Sequence, residues 1–507
     1  MSVVLRNGLR CSVNSCRSVR AQSDQKRGAK LDMIMDFLLE NVPLQWVTQV
    51  AIVGAGPAGL TLARELAKVA QVLIIEAGGI EAQLEQEELL RGECVGIPYP
   101  LTKTRARQFG GSSGLWAGYC AQFDPHDFTI RDWVPGSGWP FGVEAIQPYY
   151  SRVAELLNLG EPDFDASHFA RCSGAMLPFD RGAFVPTVWR FGTPTQRFGE
   201  SLREEFATSN KITTLTNANV ADIRIDADHT KVTELVIRAS NGREGRVAAQ
   251  LFILACGGVE TPRLLLNADT QVRHGLGNSN GMVGRCFMEH PHRCIDPLLI
   301  ERRDWFENWT QRMSCDGDRQ FTFCLGLSGH AQESAKVMNA RAHVYRTPEM
   351  LEDDTPKVGL FLEQAPNPES RVMLSSSTDS FGVRRVRLNW QLSDLDWTTY
   401  KSTASLIAGE FERIGAGRLT GPIEQPAQSR DQVLYSNHHL GTTRMADTKE
   451  HGVVDSHCRV HDLSNLYVIG GSIFPTVSWA NPTFTLMALT FRLADHLKIS
   501  LNPNKEI

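Results

Sequence analysis

The strongest constraint on this chain is a glycine turn set between a short apolar strand and a helix. Val50-Ala-Ile-Val53 runs directly into Gly54-Ala-Gly56-Pro-Ala-Gly59. In such a turn one glycine makes the tight bend, one lets backbone approach a pyrophosphate, and one lets the helix pack close to the strand. Pro57 falls at the first helical position, where its missing N–H costs nothing. Ala58 and Gly59 continue the helix, whose free N–H groups face the phosphates. A second strand, Gln71–Ile75, ends in Glu76, 22 residues after Gly54. A carboxylate there accepts hydrogen bonds from a ribose. The unit is a dinucleotide site, and alone it does not choose between dinucleotides.

Two more small-residue segments narrow the choice. Gly110-Gly111-Ser112-Ser113-Gly-Leu-Trp116-Ala117-Gly118 is too rich in glycine for a helix or an ordinary strand. Ile469-Gly-Gly471-Ser472 leads through Phe474-Pro-Thr476 to Asn481-Pro482-Thr483-Phe-Thr485. Three separated sites of this kind suit a long ligand touched at both ends, such as FAD.

At 507 residues the chain exceeds what one core supports, so two domains are expected. The fold class is α/β: a Rossmann-type domain built from residues 47–140, 205–300 and 431–500. Residues 141–204 and 301–430 form a second, α+β domain with a mostly antiparallel sheet. Residues 1–46 are an extension, partly disordered, with 31–46 forming a short helix. Helices are predicted over 143–159, 198–207 and 482–497. Asn219–Ile225 and Val232–Ile237 alternate as a β-ribbon. Val247–Leu254 is the apolar strand of a parallel sheet, and 465–471 is one more strand and turn. Val358–Leu362, Arg371–Leu374 and Val386–Trp390 are expected in the antiparallel sheet.

Bulk properties exclude several functions. The formal net charge is −5, and beyond the first 30 residues there is no basic block, which disfavours nucleic acid. Eleven scattered cysteines, with no C-x-x-C pair, fit reduced thiols in a cytoplasmic protein and supply neither an iron–sulfur cluster nor another metal site. No apolar run approaches the roughly 18 residues of a transmembrane segment. The first 30 residues are arginine-rich, as in transit peptides. No apolar or amphipathic helix accompanies that charge, so a disordered tail, or a start at Met33 or Met35, is expected.

The chain resembles the glucose–methanol–choline (GMC) family of FAD-dependent oxidoreductases from about Val47 to Leu497. Besides GAGPAGL with Glu76 and GGSSGLWAG, the likeness rests on four segments: ACGGVETPRLLL at 255–266, GRCFMEHPH at 284–292, HHLGTTRM at 438–445 and GGSIFPTVSWANPTFTLMALTFRLADHL at 470–497. The branch it most resembles holds sugar and polyol dehydrogenases and pyranose oxidases. The resemblance implies further FAD contacts at Val220, Ala255, Gly257, Gly471, Asn481, Pro482 and Thr483. It also implies a catalytic pair: His438 as base, with Gly441 and Thr442 completing H-x-x-G-T, and Asn481 as its partner. Leu115 stands where pyranose oxidases carry the histidine that binds FAD covalently, so the FAD here is expected to be non-covalent.

The chemistry supports the pair independently. An alcohol oxidised by hydride loss to flavin N5 needs a base for its O–H proton, and histidine suits that task near neutral pH. His290, His292 and His439 are taken as structural. Asn481 is also a favoured N-cap for the helix after it, with Pro482 first in the helix. That would compete with holding substrate. The expected function is oxidation of CH–OH to a carbonyl on a sugar, glycoside or polyol. Electrons would pass to oxygen, a quinone or another acceptor. The alternative is a redox-silent FAD-containing lyase of the same family.

Overall fold

A computed structural model of the chain describes residues 32–502, apart from 176, 178, 180–181, 316, 318, 346–355 and 424–434. The arginine-rich first 30 residues lie outside the described set. Among the described residues the larger sheet has eight strands. Its parallel part follows the order Ile34–Asp36, Ile212–Thr216, Val72–Ile75, Gln45–Val53, Glu244–Leu254. The ribbon Val232–Arg238 and Asn219–Ile225 extends it antiparallel, and Leu466–Val468 joins Glu244–Leu254 in parallel. The central strands Val50–Val53 and Phe252–Leu254 are buried along their whole length, which explains their unbroken apolar runs.

The second sheet, seven strands among the described residues, is antiparallel throughout. Its order is His292–Cys294, Lys357–Leu362, Ala340–Tyr345, Arg319–Leu327, Phe184–Phe191, Tyr119–Cys120, with Met313–Cys315 also paired to Arg319–Leu327. The helix Asp394–Arg413 packs on it through Tyr400, Ala404, Ile407 and Phe411. The long helix Thr483–Leu501 lies against Pro57–Leu66, where Thr61 meets Met487 and Lys498 reaches Glu65.

Four expectations need correction. The helix expected over 31–46 is not formed by the described residues 32–46: Ile34–Asp36 is a strand registered on Ile212–Thr216, and Gln45 already begins the next. The Asp36 carboxylate turns the chain by accepting from Leu38 N and from the Asn217 amide. Over 143–159, only Tyr150–Leu156 is α-helical. Two 3₁₀ turns precede it, because Pro148 cannot donate and disfavours helical backbone at the residue before it. The segments Arg371–Thr378 and Arg384–Asn389 leave the antiparallel sheet: they pair with each other, and Arg384–Asn389 pairs on its other edge with Gly92–Cys94, around a separate core of Tyr99, Phe287, Leu388 and Trp390.

The fourth correction concerns the thiols. Cys172 and Cys315 form a disulfide, tying the helix Ala166–Ser173 to the strand Met313–Cys315 across 143 residues of sequence. Spacing along the chain carries no trace of that contact. No helix among the described residues is long and apolar enough to cross a membrane.

Candidate active site

The glycine turn leaves Val53 at the carboxyl end of its strand. Gly54 takes a φ of +103°, and a Cβ there would lie 2.7 Å from the Ala255 carbonyl oxygen. A Cβ on Gly59 would strike the Gly54 carbonyl, so the helix Pro57–Leu66 approaches the strand only because both are glycine. Gly56, by contrast, has open space before it. Glu76 holds the turn from beneath: its carboxylate accepts from Ala55 N and Gly78 N, each at 2.8 Å. It is 6% exposed, and burial pushes its pKa up.

The second glycine loop packs on the first. Gly110 N donates to Ala55 O at 2.8 Å, and a Cβ on Gly111 would come within 2.9 Å of the Gly56 Cα. Gly258, at the start of the helix Gly257–Asn267, and the third site together clamp the H-x-x-G-T segment. Gly258 sits against the His439 carbonyl with no room for a side chain, Thr442 Oγ1 donates to Gly258 O at 2.7 Å, and Gly441 N donates to Gly471 O at 3.1 Å.

These loops enclose a cavity of about 570 Å³. Gly54, Gly56, Pro57, Ala58 and Glu76 line one end, with Val220, Ala255 and Gly257. Gly111, Ser112, Ser113, Trp116, Ala117, Gly471, Asn481, Pro482, Thr483 and His438 line the rest. Gly59 and Gly110 are behind the wall and hold its two turns together.

At the far end, the His438 ring meets Asn481, whose Nδ2 lies 3.4 Å from His438 Nε2. The helix here begins one residue later than expected. Thr483 is its first residue and Pro482 its cap, and no side chain makes a capping bond. Asn481 therefore keeps its amide for the cavity, and the competition between capping and substrate binding does not arise. Burial, reinforced by the neighbouring rings of His290, His439 and His292, holds His438 well below the ordinary imidazole range. It is neutral at pH 7 and free to accept a proton.

Sequence reasoning passed over several groups. His290 Nδ1 lies 2.8 Å from His438 Nδ1, and its Nε2 lies 3.1 and 3.0 Å from the carbonyl oxygens of Val477 and Ser478. Glu289 accepts from the backbone N–H of His290, Ser436 and His438 and from the Tyr99 hydroxyl. That carboxylate fixes the backbone on both sides of the imidazole pair, while burial pushes its own pKa up to about 7. Glu289, His290 and His438 offer potential metal-ligand atoms within 4.8 Å of one another, but hydrogen bonds already engage all three residues.

His292 is on the cavity wall, stacked on Phe361 at 4.9 Å and facing the Ser436 hydroxyl at 3.2 Å. His439 turns to Tyr99 and Phe287. At the other end Arg105, Arg107 and Arg263 surround Glu260. Burial would raise that carboxyl, yet the three guanidiniums hold it at about 2. The MEHPH motif was visible in the sequence, but nothing local places its first histidine against a ring 148 residues away.

The glycine turns, the buried acid and a cavity lined by all three small-residue sites fit FAD, and the fold and site define a flavin-dependent oxidoreductase. Comparison with known proteins agrees. The family described as FAD dependent oxidoreductase matches residues 49–279, and that described as GMC oxidoreductase matches residues 366–490. Paromamine 6'-oxidase of Streptomyces fradiae is 24% identical over 88% of this chain and 91% of its own length. The fructose dehydrogenase large subunit of Gluconobacter japonicus is 26% identical over 55% of this chain, a match that spans about half (52%) of that protein. Pyridoxine 4-oxidase from Mesorbium loti has the same fold, with a TM-score of 0.57 at 17% identity, over 88% of this chain and 98% of that one. The chain thus carries an FAD dependent oxidoreductase region followed by a GMC oxidoreductase region.

Proposed function

We propose that this protein oxidises a CH–OH group to a carbonyl on a sugar, glycoside or polyol, with His438 as the base. The observation that carries the reading is the pairing of a neutral His438 with an uncapped Asn481 on the wall of the FAD-sized cavity. FAD, when bound along the glycine turns, supplies the hydride acceptor at its N5. His438 Nε2 takes the hydroxyl proton as the C–H hydride departs, and a positioned base of this kind contributes about 10²–10⁴-fold. The Asn481 amide holds the alcohol oxygen beside that nitrogen. Pro482 and Thr483 bring the positive end of the helix Thr483–Leu501 to the same wall, where it favours developing negative charge. Trp116, Tyr119, His292 and Phe361 bound the space left for substrate. The sugar and polyol class follows from relatives named for paromamine and fructose, and from polar groups here at Ser436, Asn437 and His292.

Anaerobic mixing of the holoenzyme with sugars, glycosides, polyols and aromatic alcohols tests the proposal. Bleaching of the flavin by at least one alcohol is expected. A flavin that stays oxidised with every alcohol would favour the lyase alternative. Repeating the reaction in air, or with a quinone, identifies the acceptor. The exposed Leu115 offers no nucleophile to the cofactor, so acid precipitation is expected to release all the FAD into the supernatant.

A further inference from the structure

Two backbone carbonyls decide which nitrogen of His438 is basic. A carbonyl oxygen can only accept. His290 Nε2 faces two of them, Val477 O and Ser478 O, and the ring is fully buried, so that nitrogen carries the proton. A neutral imidazole has one donor and one acceptor, which leaves His290 Nδ1 as an acceptor. Its partner at 2.8 Å is His438 Nδ1, which must therefore be the donor. His438 Nε2 is then left with a bare lone pair, aimed at the cavity, where the Asn481 amide N–H approaches it at 3.4 Å. Every donor along this path points the same way, from Asn481 to His438 to His290 to the carbonyls.

The end of the path is itself held in place. Ser478 has a φ of +56°, an uncommon conformation for a residue other than glycine. Its hydroxyl donates to Asp127 Oδ2 at 2.6 Å, and Thr476 Oγ1 donates to Asp127 O at 3.0 Å. The bend turns successive carbonyls, at 477 and 478, toward one ring nitrogen.

We infer that His290 is a positioning residue that locks His438 in the tautomer protonated on Nδ1, keeping Nε2 as the acceptor for the substrate proton. The inference rests on His438 being the base, but the tautomer itself is measurable without substrate. The test is nitrogen NMR of the FAD-loaded enzyme labelled with ¹⁵N in its histidine rings, with the His438 signals assigned by their loss in His438→Asn. In the wild type, Nδ1 is expected at a protonated, pyrrole-type shift and Nε2 at an unprotonated, pyridine-type shift.

In His290→Leu the Nδ1–H of His438 has no acceptor, and its proton is expected to move to Nε2. In His290→Asn the side-chain oxygen can still accept, and the wild-type tautomer is expected to persist. With the alcohol that reduces the flavin fastest, His290→Leu should lower the reduction rate constant at saturation at least about 10²-fold. KM should change little, and His290→Asn should recover most of the rate. A wild-type His438 protonated on Nε2, or an unchanged tautomer in His290→Leu, overturns the inference. The wild-type spectrum decides the matter even if the leucine variant does not fold. The base assignment fails separately, through fast flavin reduction in His438→Asn.

Discussion

Replacing His438 with asparagine is expected to slow anaerobic flavin reduction by about 10²–10⁴-fold, the usual contribution of a positioned base. FAD should remain bound at full occupancy. The glycine turns proposed to hold it involve backbone at Gly54, Gly111, Gly258 and Gly471, and the imidazole holds none of them. Asparagine also keeps a polar group beside Asn481, so the loss should fall mainly on kcat. Stopped-flow spectroscopy at 450 nm or so, on enzyme with its flavin content measured, checks both halves of the expectation. A variant that reduces its flavin at the wild-type rate would remove His438 from the chemistry, whatever its place on the wall.

The second large effect concerns stability. Arg131 and Glu363 are both fully buried and meet as a bidentate pair, at 2.7 and 2.6 Å. Glu363 also accepts from Asn339 N at 2.9 Å. Arg131→Met leaves that carboxylate charged without its counter-ion, which costs about 3–5 kcal/mol. For a protein of ordinary stability this is a large share of the total. Loss of soluble expression, or a denaturation midpoint far below the wild type, is the expected result. The double variant Arg131→Met/Glu363→Gln removes both charges and keeps an acceptor for Asn339. It should recover most of the midpoint, because a neutralised pair leaves no orphaned ion. Equal losses in the single and double variants would show that packing, rather than charge, sets the cost.

How much of this was legible in the sequence depends on how far each feature reaches along the chain. The turn at Gly54–Gly59 and the ribbon of Asn219–Ile225 with Val232–Arg238 are local, and glycine and alternation announced them. Residues 31–46 carry apolar positions compatible with either helix or strand. Pairing with Ile212–Thr216, remote in sequence, decided for strand. The hairpin from Arg371 to Asn389 has ordinary strand composition, and only the distant Gly92–Cys94 and Tyr99 reveal which sheet it joins. The Cys172–Cys315 bridge was invisible for the same reason. At the candidate site, motif alone pointed to His438 and Asn481, whose side chains lie 3.4 Å apart. The roles of Glu289 and His290 appear only when three segments converge. Asn481 shows the opposite failure, since local helix-capping logic assigned its side chain a partner that the one-residue shift of the helix start removes.

The strand Leu466–Val468 has one more consequence, for the order in which the protein is made. It pairs with Phe252–Leu254, a strand end laid down more than two hundred residues earlier. Until the ribosome has released it, that stretch of Glu244–Leu254 has an unpaired edge, and the helix that carries Asn481 at its threshold has not yet docked on Pro57–Leu66. Until then the wall formed by Gly471, Asn481, Pro482 and Thr483 is missing from the cavity that Gly54, Gly56 and Gly111 line. Secure cofactor capture is therefore expected only once the last segment closes the sheet, which would make loading with flavin a late step in folding.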